Sequence, residues 1–155
     1  MVPFPDTMES GMKGAVAMKK ILAAYDGSKE SEKAVLTAIG LAREFGSSLT
    51  IIAVVPELYF AEVAEFDRMR ILDTLSKDAK AALAGLRKRA TGVSRIKTLI
   101  KSGSPAVEIL DAAEKMKASL IVTGSHGSHG ARRFLLGSVS SKIVDNAPCS
   151  VLVVK

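Results

Sequence analysis

The chain of 155 residues has 48% hydrophobic and 25% charged residues, a net charge of +6 and a single cysteine. That length suits one domain burying about 70% of its unfolded surface, and no apolar run reaches the roughly 18 residues of a membrane span. The lone Cys149 excludes an intrachain disulfide framework and reads as a small buried residue of a protein in a reducing cytoplasm.

Residues 1–17 hold two prolines and two glycines, show no periodicity, and lack the continuous apolar core of a signal peptide. They read as a disordered N-terminal extension ahead of a domain over 18–155. Ile21–Tyr25 is a first strand, ended by Asp26-Gly27-Ser28, a turn with Ser28 as helix N-cap. The first helix places Ala34, Val35, Ala38, Leu41, Ala42 and Phe45 on one face, and Gly46 stops it. Glu30 and Glu32 in its first turn suit the helix dipole. Leu49–Val55 is a second strand, apolar on both faces and so suited to a sheet covered on both sides; Pro56 ends it.

A long helix follows, from near Ala61 to Arg89, with Leu72, Leu75, Ala79, Ala82, Leu83 and Leu86 as its core stripe. Tyr59, Phe60 and Phe66 near its start read either as part of it or as a loop or partner-facing element. Lys77, Lys80, Arg87, Lys88, Arg89, Arg95 and Lys97 cluster late in the helix and beyond. Without interleaved aromatics, and in a chain without tryptophan, they read as a solvated face rather than a nucleic-acid surface. A general preference for anionic ligands still follows from the charge.

Ser94–Ile100 is a third, more polar strand, which suggests a sheet edge. Gly103-Ser104-Pro105 supplies a turn, an N-cap and a proline at the first helical position. The third helix buries Ile109, Leu110, Ala113 and Met116, leaving Asp111 and Glu114 as surface charges. Leu120–Thr123 is the fourth strand, Val139, Ile143, Val144 and Ala147 space a short fourth helix, and Val151–Val154 is the fifth strand.

Strands joined by helices run parallel, and right-handed crossovers set helices on both faces, giving a doubly wound five-stranded α/β sheet. In such sheets ligands bind beyond the strand C-termini, where the winding reverses. Asp26, Pro56, Gly103 and Gly124 all fall just after strand C-termini, on that one edge.

The richest segment is Thr123 to Ser140, Thr-Gly-Ser-His-Gly-Ser-His-Gly-Ala-Arg-Arg-Phe-Leu-Leu-Gly-Ser-Val-Ser, a glycine loop between a strand and a helix. Such a loop holds phosphate on bare backbone N–H groups and a helix dipole. Gly124, Gly127 and Gly130 recur every three residues, leaving room for a ligand and permitting positive φ. Gly137-Ser138 adds a second set of donors, and Ser140 a hydroxyl. There is no Walker Gly-x-x-x-x-Gly-Lys-Ser/Thr motif, and no dinucleotide fingerprint follows the first strand. Asp26 stands there instead, either as a partner for ribose or phosphate-bound Mg²⁺, or as an Asx-turn with Gly27. His126 and His129 are too few for a closed zinc site and read as phosphate or mutual hydrogen-bond partners. Arg132 and Arg133 either neutralise phosphate or face water, and no nucleophile–base constellation assembles.

On these residues the chain resembles the universal stress protein family, specifically its ATP-binding branch. The family signature Gly-x2-Gly-x9-Gly-Ser/Thr is matched by Gly124, Gly127, Gly137 and Ser138. Lys19–Ser28, Gly103-x-Pro105 and Pro148–Val154 are similar too, so the resemblance runs from Met18 to Lys155. It implies a flavodoxin-like, adenine nucleotide α-hydrolase-like sheet of order 3-2-1-4-5, and a homodimer pairing the fifth strands, Val151–Val154, antiparallel. For the ligand it implies ATP, or AMP or ADP, with Mg²⁺ or Mn²⁺ held mainly through the phosphates. Asp26 is then near the ribose and the Val54 backbone against adenine, while Gly124, Ser125, His126, Gly127, Ser128, His129 and Gly130 with Gly137, Ser138, Val139 and Ser140 hold the phosphates. Ala24 stands where a relative carries proline, beside the ribose position.

The function that follows is a nucleotide-dependent stress-response or signalling module with little or no hydrolysis. The alternative is a slow ATPase or an autophosphorylating enzyme, with Ser125, Ser128 or Ser138 as acceptor. An α-hydrolase-type enzyme calls for a Ser-Gly-Gly-x-Asp-Ser loop that Tyr25-Asp-Gly-Ser28 does not supply. A phospho-receiver calls for an aspartate where Lys101-Ser102 stands.

Overall fold

A computed structural model describes residues 18–57, 64–127 and 136–155. The elements run β1 (Lys20–Tyr25), α1 (Lys29–Phe45), β2 (Ser48–Pro56), α2 (Glu65–Arg89), β3 (Ile96–Gly103), α3 (Pro105–Met116), β4 (Leu120–Gly124), α4 (Ser138–Asn146) and β5 (Ser150–Val154). All neighbouring strands pair parallel in the order β3-β2-β1-β4-β5. The chain winds outward from β1 to β3, then crosses back to β4. The β1–β4 junction is therefore the point where the winding reverses.

Two cores flank the sheet. On one face α1 and α2 pack Ala34, Val35, Ala38, Leu83 and Leu86 against Ile21, Ala23, Ile51 and Val122. On the other, α3 and α4 pack Ile109, Ala113 and Ile143 against Leu22, Ile52 and Ile121. The central strands β1 and β4 are covered on both faces, which is why their sequences read as continuous apolar runs.

Local chemistry sets the element ends. The Ser31 N–H donates to Ser28 Oγ at 3.1 Å, capping α1, an arrangement worth about 1 kcal/mol. Gly46 closes the same helix in the left-handed region at φ 62°. Arg43 of α1 then reaches the C-terminus of α2, donating from Nε to Thr91 O at 2.5 Å and from Nη2 to Arg89 O at 2.9 Å. A guanidinium there suits the helix dipole, and the Arg89–Glu32 ion pair at 2.5 Å adds a second tie. The C-terminal half of α2 is thus anchored to α1.

Its N-terminal half is different. The expected stripe is buried only at Leu83 and Leu86, and Phe66, Met69, Ile71 and Leu75 are exposed. Leu75 is therefore not a core residue. Phe45 and Val144 also lie on stripes that the periodicity assigns to the core, yet both are exposed. Phe45 occupies the last turn before Gly46, where the chain turns into β2 through a Ser47 N–H to Ala42 O bond. The third strand begins two residues later than its pattern suggests and runs on to Gly103, because Lys101, Ser102 and Gly103 pair with Val54, Val55 and Pro56.

Candidate functional site

A cavity of about 600 Å³ opens at the C-terminal edge of the sheet, within the size range of small-molecule sites. Its polar end lies at the winding reversal. Asp26 leaves β1 there, and Gly124, His126 and Gly127 leave β4. Across from them stands the start of α4, with Gly137, Ser138, Val139 and Ser140. Its apolar end is built from Ala24, Val54, Pro56, Ile71, Leu75, Pro105 and Ile109.

Asp26 is held by its turn. Its backbone N–H donates to Ser31 Oγ at 3.2 Å, and its Oδ1 accepts the Ser28 N–H at 3.0 Å. The Asx-turn is made, and the carboxylate nonetheless lines the cavity. Both roles open to Asp26 are therefore compatible in one geometry.

The glycines act through space rather than through backbone handedness. Positive φ occurs at Gly27, Gly46, Gly92 and Gly103, and not at Gly124, Gly127 or Gly137. A β-carbon at Gly124 would lie 2.9 Å from Glu30 C and Ser31 N, so this glycine lets β4 end flush against the first turn of α1. At Gly127 it would lie 2.6 Å from Asp26 Oδ2, which puts the bare Cα beside the carboxylate. At Gly137 the contacts begin at 3.4 Å, an ordinary approach.

The two banks of the loop are bonded together. Ser125 O accepts from the Gly137 N–H at 2.8 Å, and the Ser140 hydroxyl lies 3.0 Å from both Ser125 O and Gly137 O. That hydroxyl is buried and engaged with the main chain. The Ser125 N–H donates to Val154 O at 2.8 Å, tying the loop to the end of β5. Ser125 itself is buried, and its Oγ lies 3.1 Å from His126 Nδ1. Gly137 caps α4 without a capping side chain, so the amides of Ser138, Val139 and Ser140 form an uncapped first turn on the cavity. Such a turn accepts anions.

At the other end, β1 stops pairing with β2 at Tyr25–Ala53, whereas β2 continues beside β3 as far as Pro56. The main chain of Val54 and Val55 thus faces no strand on its β1 side. Tyr25 borders the same region, and burial first, then the negative charges of Glu32 and Asp26, push its phenol above the ordinary value.

The structure brings together Ala24, Asp26, Val54, Gly124, His126, Gly127, Gly137, Ser138, Val139 and Ser140 around one cavity. Ser125 sits behind the lining. Ser128, His129, Gly130, Arg132, Arg133, Tyr59 and Phe60 lie outside the described residues. Sequence reasoning missed Ile71 and Leu75 as lining residues, because an apolar helical stripe looks alike whether it faces a core or a cavity. It also passed over Pro105 and Ile109, although Gly103-x-Pro105 marked their turn. Cys149 is half-buried just before β5, with its thiol pushed up by burial. Among the described residues no cluster of three or more His, Cys, Asp or Glu is placed to hold a metal. No described helix is long and apolar enough to cross a membrane.

The fold and site define a flavodoxin-like α/β domain with a crevice at its winding reversal. The chain belongs to the universal stress protein family, whose model matches residues 18–155. It is 42% identical over 140 residues to a universal stress protein from Methanocaldococcus jannaschii, covering 88% of this chain and 82% of that one. Among solved structures it resembles a universal stress protein from Lactobacillus plantarum with a TM-score of 0.83 and 30% identity, over 89% of this chain and 98% of that one. A universal stress protein determined in complex with cAMP shares the fold at TM-score 0.69 and 24% identity, over 89% and 97% of the two chains.

Proposed function

We propose that this protein is an adenine-nucleotide-binding stress-response module that holds ATP, with Mg²⁺ or Mn²⁺, rather than turning it over. The observation that carries the reading is the polarity of the cavity. One end presents the uncapped first turn of α4, Gly127 and Asp26, and the other presents Val54, Pro56 and further apolar side chains. A triphosphate suits the first end and a purine the second, with the ribose beside Asp26 between them. That a protein of this fold holds cAMP is in keeping with this assignment. Asp26 is the one carboxylate among the described lining residues, so a divalent ion would be bound chiefly by the phosphates, whose charge it would offset. Ser128, His129 and Gly130 complete the proposed phosphate site.

Three further readings belong to the proposal. Residues 18–155 form the functional domain and 1–17 an extension to it. The protein is cytoplasmic, in keeping with a single cysteine. It is a homodimer through the edge strand β5, where Leu152 is exposed.

Titration calorimetry with Mg-ATP, Mg-ADP and AMP tests the binding. Saturable binding of at least one is expected, and no heat of binding at millimolar ATP would overturn the reading. Mass spectrometry of ligand released from the purified protein identifies the nucleotide. The autophosphorylation alternative draws on the Ser125–His126 contact at 3.1 Å, a hydroxyl beside a ring nitrogen. Against it, Ser125 is only 3% exposed. Incubation with ATP followed by intact-mass measurement separates the two, since phosphorylation adds about 80 Da per site and pure binding adds nothing after denaturation.

A further inference from the structure

Among the described residues, the ties between α2 and α1 lie at the C-terminal end of α2. Arg43 and Glu32 of α1 hold its C-terminus, and Leu83 and Leu86 bury its second half. Its first half carries Ile71 and Leu75, which are 38% and 39% exposed and line the cavity. They are spaced i and i+4, so they share one helix face. The two side chains belong to the apolar end of the cavity, with Val54 and Pro56 of β2. No charged side chain joins them there among the described residues.

We propose that the first half of α2 is a hydrophobic wall for the nucleotide base, with Ile71 and Leu75 packing on the purine and contributing to affinity. This rests on the nucleotide reading above and extends it to residues that the glycine signature does not reach. Two partly exposed aliphatic side chains beside an amphipathic ligand gain from covering a flat, weakly polar ring, since apolar area leaves water on both partners. The phosphates lie at the opposite end of the cavity and are indifferent to this wall. The base and phosphate contributions are therefore separable.

The test compares Mg-ATP with Mg-tripolyphosphate, a ligand without sugar or base, on the full-length wild type and the double variant Ile71→Ala/Leu75→Ala. Loss of the aliphatic contact should weaken ATP roughly tenfold, the equivalent of about 1.4 kcal/mol, and leave tripolyphosphate affinity unchanged. Phe66→Ser and Met69→Ser alter exposed residues of the same helix half that are not part of the cavity lining. They should leave both ligands unaffected. ATP affinity in the double variant equal to wild type overturns the proposal, as does an equal loss for both ligands. Wild-type protein that binds neither ligand overturns the nucleotide reading itself and this wall with it. Because both alanines replace partly exposed residues, the variant should keep its helical circular dichroism and a cooperative melt.

Discussion

The Asp26 carboxylate lies against the bare Cα of Gly127, so close that a β-carbon there would sit 2.6 Å from Oδ2. This contact joins the strand β1 edge of the site to the glycine loop and leaves no room for a side chain between them. Asp26 is exposed, so its carboxylate can turn from an intruding group at the cost of the bonds that hold it, the Ser28 N–H among them. A ligand in the cavity cannot. Gly127→Val should therefore lower folding stability by only about 1–2 kcal/mol, the worth of a hydrogen bond or two, and abolish measurable ATP binding. Thermal melting and calorimetry on the same preparation check both halves, and retained affinity would make the loop a mere connector.

Gly124 should behave in the opposite way. A β-carbon there meets the main chain of Glu30 and Ser31 at 2.9 Å, and main chain in a helix turn moves only as a unit. That turn also holds the Ser28 cap and the bond from the Asp26 N–H to Ser31 Oγ. Gly124→Ala should cost about 1–3 kcal/mol, as overpacking does. Urea denaturation should show a lowered midpoint with an unchanged slope. A variant as stable as wild type would mean that β4 and α1 are free to separate.

Tyr25 supplies a pH-dependent readout. Its phenol is raised by burial and by the nearby charges of Glu32 and Asp26. The folded state thus holds this proton more tightly than the unfolded chain does. The associated stability is fully present below the unfolded value near 10 and is lost as pH rises from there through the folded value. The chain has two tyrosines, so Tyr59→Phe isolates Tyr25 in an ultraviolet absorbance titration. Its midpoint should lie above 10 and move higher when a nucleotide brings negative charge into the cavity. A midpoint that ignores ATP would place the bound phosphates away from β1.

Much of this site was legible in residue order alone, and the reasons differ by feature. Ser28, Gly46 and Pro105 are local signals whose geometry is decided within one turn, and each stands at the helix boundary that its chemistry indicates. That Asp26 and Gly124 share one edge followed from topology, because parallel strands joined by helices bring all their C-termini to one edge; the contact of Asp26 with Gly127 did not. The side chains of α2 were not legible. Leu75 and Leu83 lie on similar apolar repeats, yet one lines a cavity and the other is buried under the sheet. The difference is tertiary, since Leu83 packs against α1 and the sheet while Leu75 borders the open cavity. The loop glycines show a related limit. Composition cannot tell a glycine needed for handedness, such as Gly27 at φ 85°, from one needed for clearance, such as Gly124.

Strand β5 is where two copies of the chain should pair. This strand ends the sheet, its central residue Leu152 is 36% exposed, and Val144 of α4 is also exposed. An apolar edge invites pairing with another chain, and an antiparallel twofold pairing of a short strand sets its middle residue near its own copy. Leu152→Arg would then bring two positive charges together in a partly desolvated place, where like charges across a strand pair destabilise. The wild type should sediment as a dimer and the variant as a monomer at the same concentration. The Ser125 N–H is bonded to Val154 O at 2.8 Å, so the loss of pairing should also loosen the loop and raise the dissociation constant for ATP a few-fold. A variant that remains dimeric would remove β5 from the interface. A monomer with unchanged ATP affinity would show that the loop holds its shape without the partner.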